Sequence, residues 1–359
     1  MTRFGSYLAR LGLTSRFACV AFVLVGCRSS LPVLAIAAAP PAEEPRERRV
    51  GLPGDGTWDH IIAASAARRL YVSHATHIDV LDLDSDTLVG VLDSLPGVHG
   101  VALDEYAHRG YTSNEGDSSI TVFDTRSLQV LRRLHVRADS PDGIVFDPAS
   151  RRVFAMHGNS PSLSVFDAGA DTLRNVLQLG GSPDGGIPDG HGQLYVTLKD
   201  RSELLVIDTH RLSILQRWPL APCAGPDAIA IDTVRGRVVL GCDSGTVVSV
   251  ETSTGTVHPG FAIGTGVDGV SIGGNMILAS TADGVVTVAR CQQDRCAVER
   301  TIRTMRGSGT SALDSRTLRL YVPYDVRVAE RSDSLRARMQ NTGGTQGFGV
   351  QIIPLRRTP

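Results

Sequence analysis

Lysine is almost absent from this 359-residue chain: Lys199 is the only one, and arginine supplies the other cations. A charge excess of one sign is also missing, because the formal net charge is −1. That removes the basic footprint of a nucleic-acid binder, so no nucleic-acid partner is expected. Aromatic residues are scarce at 5%, with tryptophan only at Trp58 and Trp218. No C-x-x-C-H motif for haem attachment occurs, so an electron-transfer role has little behind it. No G-x-S-x-G elbow sits in a strand–helix context, which leaves nucleophilic catalysis without its usual frame. Gly264-Thr265-Gly266 and Gly307-Ser308-Gly309 are isolated glycine pairs with no helix expected after them, a poor setting for a phosphate.

What is present is glycine, 38 residues of it, and 42% hydrophobic residues. Many turns and enough apolar surface for a large core favour an all-β chain.

The first 45 residues read as targeting segment and tether rather than fold. Arg3, Arg10 and Arg16 precede an apolar run, Phe17 to Gly26. At about ten residues that run is too short to span a bilayer as a helix. Leu24-Val25-Gly26-Cys27 resembles a bacterial lipobox, which would lipidate Cys27 and anchor a periplasmic protein to its membrane. A plain secretory peptide cut near Ala37 or Ala39, giving a secreted protein, is the alternative. Either way the chain is expected outside the cytoplasm, touching membrane only through a lipid anchor.

Four cysteines remain beyond that segment: Cys223, Cys242, Cys291 and Cys296. An even number in an oxidising compartment predicts disulfides. No histidine stands at finger-like spacing to either pair, which argues against zinc.

Internal repetition is the strongest signal. Tyr71-Val72-Ser73-His74 recurs as Tyr111-Thr112-Ser113-Asn114, Phe154-Ala155-Met156-His157 and Tyr195-Val196-Thr197-Leu198. It continues as Val239-Leu240-Gly241-Cys242, Leu278-Ala279-Ser280-Thr281 and Tyr321-Val322-Pro323-Tyr324. The copies lie 39 to 44 residues apart, the period of a four-stranded propeller blade. A second ladder, Asp82, Asp124, Asp167, Asp208 and Glu251, runs in step and is expected to cap turns between third and fourth strands. In the third repeat the strands read Gly143–Phe146, Val153–Met156, Leu163–Phe166 and Leu173–Leu179. The last repeat supplies only Ala312-Leu313, Leu318–Val322 and Phe348–Pro354, and Arg48–Leu52 can supply its fourth strand. The expected fold is therefore an all-β, seven-bladed β-propeller over residues 46–356, closed by an N-terminal strand in the last blade, and monomeric. Arg327 to Gly347 reads as a charged insertion in that blade. This register brings Cys223 beside Cys242 and places Cys291 and Cys296 across one hairpin tip, so those are the expected pairs.

These residues resemble the YVTN-repeat propellers, named for the motif that Tyr111-Thr112-Ser113-Asn114 nearly reproduces. Trp218-Pro219-Leu220-Ala221-Pro222-Cys223, followed by Gly241-Cys242, is more specifically similar to exported YncE-like proteins. The resemblance implies a WD-repeat-like propeller and no particular activity. His74, His157 and Leu198 depart from the motif's final Asn.

The segments leading into the innermost strands carry Asp59, His99, Asp142, Asp184, Asp227 and Asp268. They are expected to ring one mouth of the central channel. Such a ring could bind a hard divalent cation such as Ca²⁺, or a cationic or hydroxylated ligand. Alternatively, Pro-Asp-Gly is simply a good turn in which Asp bonds its own backbone. The strand-end residues His74, Asn114 and His157 are expected to point toward the same mouth. Two functions follow. The first is a non-enzymatic cell-envelope binding or interaction propeller, its partner a small molecule or an envelope protein. The alternative is a metal-dependent, lactonase-like hydrolase using the carboxylate-ringed mouth. The inner-strand positions offer Asp and His but no Glu, which favours binding.

Overall fold

The computed structural model describes residues 47–54, 57–136, 140–292, 295–326 and 347–355. The expected targeting segment, Cys27 and the insertion up to residue 346 lie outside the described residues.

The second and third strands of each repeat are apolar enough to be buried on both faces, as in Arg152–His157 and Ser162–Asp167, whereas a fourth strand such as Thr172–Gln178 meets solvent, and Gly, Asp and Ser at the turns separate them. The strands assemble into seven separate four-stranded antiparallel sheets. Six sheets use four consecutive strands, here named a to d from channel to rim. In the first blade these are Trp58–Ala64, Arg69–His74, His77–Asp82 and Thr87–Leu92. In the third they are Pro141–Asp147, Arg152–His157, Ser162–Asp167 and Thr172–Gln178, within two residues of the sequence reading at each end. The seventh blade takes Ala312–Asp314, Arg319–Asp325 and Phe348–Pro354 from the C-terminal part and Arg48–Leu52 from the N-terminal part. Arg48 pairs with Ile352 and Leu52 with Phe348, in antiparallel register.

The core lies between blades. Tyr71, Tyr111, Tyr195 and Tyr321, which open the repeated motif on strand b, are all buried. Tyr71 packs against Phe123 of the second blade, and Tyr321 against Leu70 and Leu81 of the first. Burial pushes the hydroxyls of Tyr71, Tyr111 and Tyr195 up to about 12, so they stay neutral in the core. Gly110 stands where the first and third blades have Leu70 and Val153. The Phe123 ring fills the space, and a Cβ on Gly110 would come within 2.1 Å of it.

Polar ties cross the same seams. An arginine opening strand b reaches the c–d turn of the next blade. Arg109 donates to Asp171, Arg152 to the carbonyl of His210, and Arg319 to Asp86 at 2.9 Å. Asp86 also accepts from Arg48 at 3.0 Å, so both halves of the seventh blade grip the first. Four of the five ladder carboxylates cap turns as expected, while Glu251 accepts from the Thr254 hydroxyl at 2.7 Å. Asp82, Asp124, Asp167 and Asp208 each accept backbone N–H groups from two and three residues on.

Cys223 bonds Cys242, and Cys291 bonds Cys296. The first pair ties the segment entering the fifth blade to the end of its strand b. The second faces across the c–d hairpin of the sixth. Both pairs are compatible with an exported protein.

Candidate functional site

Each of the first six inner strands begins with a β-bulge. Pairing with strand b skips from Trp58 to Ile61, from Val98 to Val101, from Pro141 to Ile144 and from Pro183 to Gly186. In the fifth and sixth blades it skips from Pro226 to Ala228 and from Val267 to Gly269. A bulge leaves residues unpaired and re-aims their side chains. The unpaired residues include Asp59, His99, Asp142, Asp184, Asp227 and Asp268. All six line one cavity of about 520 Å³ at the channel.

The glycine after the aspartate serves packing between blades. A Cβ on Gly143 would sit 2.6 Å from the Asp184 carbonyl oxygen, and one on Gly269 would sit 2.6 Å from the Ser311 nitrogen. Neighbouring inner strands approach too closely for a side chain. The turn reading of Pro-Asp-Gly is corrected here. Among the described residues, no backbone N–H of the local turn donates to the carboxylate of Asp142, Asp184, Asp227 or Asp268. These groups face the cavity instead of capping their own chain.

Two halves of the mouth differ in charge compensation. In the first, His99 donates from Nδ1 to Asp59 and from Nε2 to Glu115 Oε2 at 3.0 Å. Asp142 Oδ1 lies 3.4 Å from the same Nδ1. The hydrogen bond to Asp59, with the surrounding carboxylates, pushes His99 up to about 9 against the effect of burial. His60 Nε2 lies 4.0 Å from both Asp59 and Asp142. Burial opposes charge at His60, yet Asp59, Asp268 and Asp142 raise its proton affinity overall. Burial likewise opposes charge at Asp59, but His60 and His99 hold its carboxyl below the usual range.

In the other half, Asp268 is offset in part by His60, while Asp184 and Asp227 face Lys199. Its Nζ lies 2.5 Å from Asp227 Oδ2 and 3.4 Å from Asp243 Oδ2. Burial, reinforced by the neighbouring Asp227, raises the Asp184 carboxyl strongly. Burial pushes Asp268 to about 7, with Asp59, Asp227 and Asp142 adding to it against His60. Negative charge is under-compensated here.

His74, Asn114 and His157 do not line this cavity. All three are fully buried within their blades. Asn114 donates to Ser119 and Thr121, and His157 bonds Ser164. The expectation that strand-end residues face the mouth fails by one position. Successive strand residues point to opposite faces, and in two loops the next residue bonds a mouth residue instead. Glu115 and Lys199 are those residues. His60 was also missed, although it stands where the second, third and fourth blades have Gly100, Gly143 and Gly185 after the equivalent residue. That break in the repeat was its sequence signal; for Lys199 it was being the single lysine. Gly269-Val270-Ser271-Ile272-Gly273 matches the elbow pattern in letters but lies within an inner strand, Val267–Gly273, that pairs with another strand.

No protein-family model matches the chain, and neither does any curated protein. Solved structures do match. The RRP9 WD40 repeats superpose with a TM-score of 0.70 at 12% identity, covering 86% of this chain and 97% of that one. The structure titled U3-55K gives 0.69 at 13%, covering 86% and 98%. Kuenenia stuttgartiensis hydrazine synthase gives 0.64 at 14%, covering 73% of this chain and 91% of that one. At these identities the likeness concerns architecture alone. The chain is thus a seven-bladed β-propeller with WD40-like structural neighbours.

Proposed function

We propose that the protein is a non-enzymatic binding propeller of the cell envelope whose acidic channel mouth takes a small cationic ligand. One observation carries this reading. Bulges aim five aspartates into a single cavity, and at Asp142, Asp184, Asp227 and Asp268 the carboxylate serves no local turn. The cavity, about 520 Å³, is far roomier than a bare ion requires and matches the size of small-molecule pockets. A ligand amine or guanidinium fits the half holding Asp184, Asp227 and Asp268.

The test is a thermal-shift panel on the purified protein: Ca²⁺, Mg²⁺, Mn²⁺ and Zn²⁺ in one arm, diamines and guanidino compounds in the other. A ligand bound only by the folded state raises the melting temperature. The rise is expected from organic cations, is lost in the Asp142→Asn/Asp268→Asn double variant, and strengthens as pH passes about 7, where Asp268 gives up its proton. If no compound in either arm raises the melting temperature, the reading is wrong.

One observation favours a second reading. Ligand atoms of Asp59, His60 and Asp142 lie within 4.8 Å of one another, a spacing that could hold a divalent ion for lactonase-like hydrolysis. Metal-dependent turnover of a lactone or ester panel, lost in His60→Ala, would support it over plain binding.

The envelope location rests on Leu24-Val25-Gly26-Cys27 and on four cysteines paired in disulfides. Metabolic labelling with palmitate is expected to mark the wild type and to miss Cys27→Ser. Equal labelling, or none in either, would return the protein to the soluble exported class.

A further inference from the structure

The repeat allows an internal comparison at the b–c hairpin of each blade. In the second blade the hairpin brings together Asn114, Ser119 and Thr121. Asn114 Nδ2 donates to Ser119 at 3.1 Å and to Thr121 at 2.9 Å, and Thr112 donates to Asn114 Oδ1. In the third blade the same positions hold His157, Ser162 and Ser164, with a 2.9 Å bond from the imidazole to Ser164. These trios hold hydroxyls and an amide or one imidazole.

The first blade breaks the pattern. Its three positions are His74, His77 and Asp79. A two-residue turn makes His74 and His77 register partners, and strand alternation puts Asp79 on the same face as His77. One potential ligand atom from each of the three lies within 4.8 Å of the others. His74 Nδ1 stands 3.2 Å from Asp79 Oδ2, and His77 Nε2 stands 3.7 Å from that oxygen. The longer distance exceeds a hydrogen bond. Both bracket the spacing of about 3.3 Å between ligands of a tetrahedral ion with bonds of about 2.0–2.1 Å.

Hydrogen bonding alone does not satisfy this trio. His74 and Asp79 are fully buried, and Asp79 Oδ1 and His74 Nε2 have no hydrogen-bond partner among the described residues. Among the described residues, no Arg or Lys side chain is paired with Asp79. A buried carboxylate needs a cation. Two imidazoles and a carboxylate are the donor set of zinc and its neighbours, not of Ca²⁺ or Mg²⁺, which take oxygen ligands. His77 is the most exposed of the three, with 17% of its side chain accessible.

We propose that His74, His77 and Asp79 form a zinc-class metal site in the first blade, separate from the channel mouth. It joins strands b and c of that blade. His74 also packs against Phe348 of the seventh blade, with ring centroids 4.0 Å apart and the planes tilted by 34°, so an ion here would stiffen the seam where the ring closes.

The test is equilibrium dialysis of chelator-stripped protein against Zn²⁺, with metal content read by mass spectrometry. The wild type is expected to retain one zinc per chain. His77→Ala is expected to lose affinity by at least about 100-fold, the scale of losing a strong ligand-shell contact. The Asp59→Asn/Asp142→Asn channel variant is expected to keep its zinc. Zinc lost from the channel variant but kept by His77→Ala would assign the ion to the mouth and overturn the proposal. A wild type that retains no zinc would do the same. Should His77→Ala fail to fold, Co²⁺-loaded wild type decides: tetrahedral ligand-field bands are expected, and their absence counts against the site.

Discussion

Deletion of residues 47–52 is expected to abolish the single cooperative unfolding transition and to cause aggregation. Those residues contain the outer strand of the seventh blade, Arg48–Leu52, paired along its whole length with Phe348–Pro354. Removing it uncovers the N–H and C=O groups of a hydrophobic strand, a ready template for pairing with a second molecule. Leu52, 1% exposed, would also leave the cluster that holds Tyr321 and Phe348. A point change probes the same seam without removing the strand. Asp86 is 1% exposed at its side chain and is gripped by Arg48 and Arg319. Asp86→Ala takes the shared acceptor from Arg319 and from the more exposed Arg48, an expected loss of about 1.5–3 kcal/mol for a hydrogen bond to a charged group. Calorimetry and sedimentation measure both effects. A truncated protein as soluble and cooperative as the parent would show that the outer strand does not secure the ring.

Neutralising the under-compensated half of the mouth should do the reverse and stabilise. Asp184 and Asp268 both have raised carboxyl affinity for protons, chiefly through burial. A folded-state value above the unfolded one means that the folded protein binds the proton more tightly. Stability therefore falls as pH rises toward and through that value. For Asp268 the loss is complete above about 7. His99, raised to about 9, contributes in the same direction, because its ion pairing is lost as it deprotonates. The wild type without added ligand should melt at lower temperature at about pH 9 than at about pH 6. Asp184→Asn/Asp268→Asn should raise the melting temperature at about pH 9 by roughly 3–8 °C, from the usual gain per relieved site and the usual midpoint shift per kcal/mol. The gain should shrink near pH 5, where the wild-type carboxyls already hold protons. A double variant that melts lower than the parent at high pH would mean that these carboxylates support the fold.

The architecture was open to sequence reasoning because a blade repeats. Seven copies at one period left little freedom in assigning strands, and turn residues marked their ends. The disulfides followed from the same register. The site was only half legible. Asp59, His99, Asp142, Asp184, Asp227 and Asp268 were found because they share one repeat position. Glu115 and Lys199 were missed because the position after the strand-end residue changes type from blade to blade, Ala75, Glu115, Gly158 and Lys199 in the first four. His74 was placed at the wrong site because alternation along a strand is unforgiving: one position separates a side chain inside a blade from one at the mouth. The bulges were invisible as well, since nothing in Pro-Asp-Gly distinguishes a bulged strand from a tight turn.

The last blade couples the order of synthesis to the order of folding. Gln351 Nε2 donates to Glu47 Oε1 across 304 positions of chain, beside strands that pair over a similar distance. Closing a flexible loop of about 300 residues costs about 5 kcal/mol in chain entropy by the logarithmic estimate, before any constant term. Contacts of such long range form slowly and late. Until Phe348–Pro354 has left the ribosome, the remaining blades form only an open arc with an unmatched seam at each end. The chain thus stays short of its locked form until that strand is made. The ring snaps shut only when Phe348–Pro354 meets Arg48–Leu52.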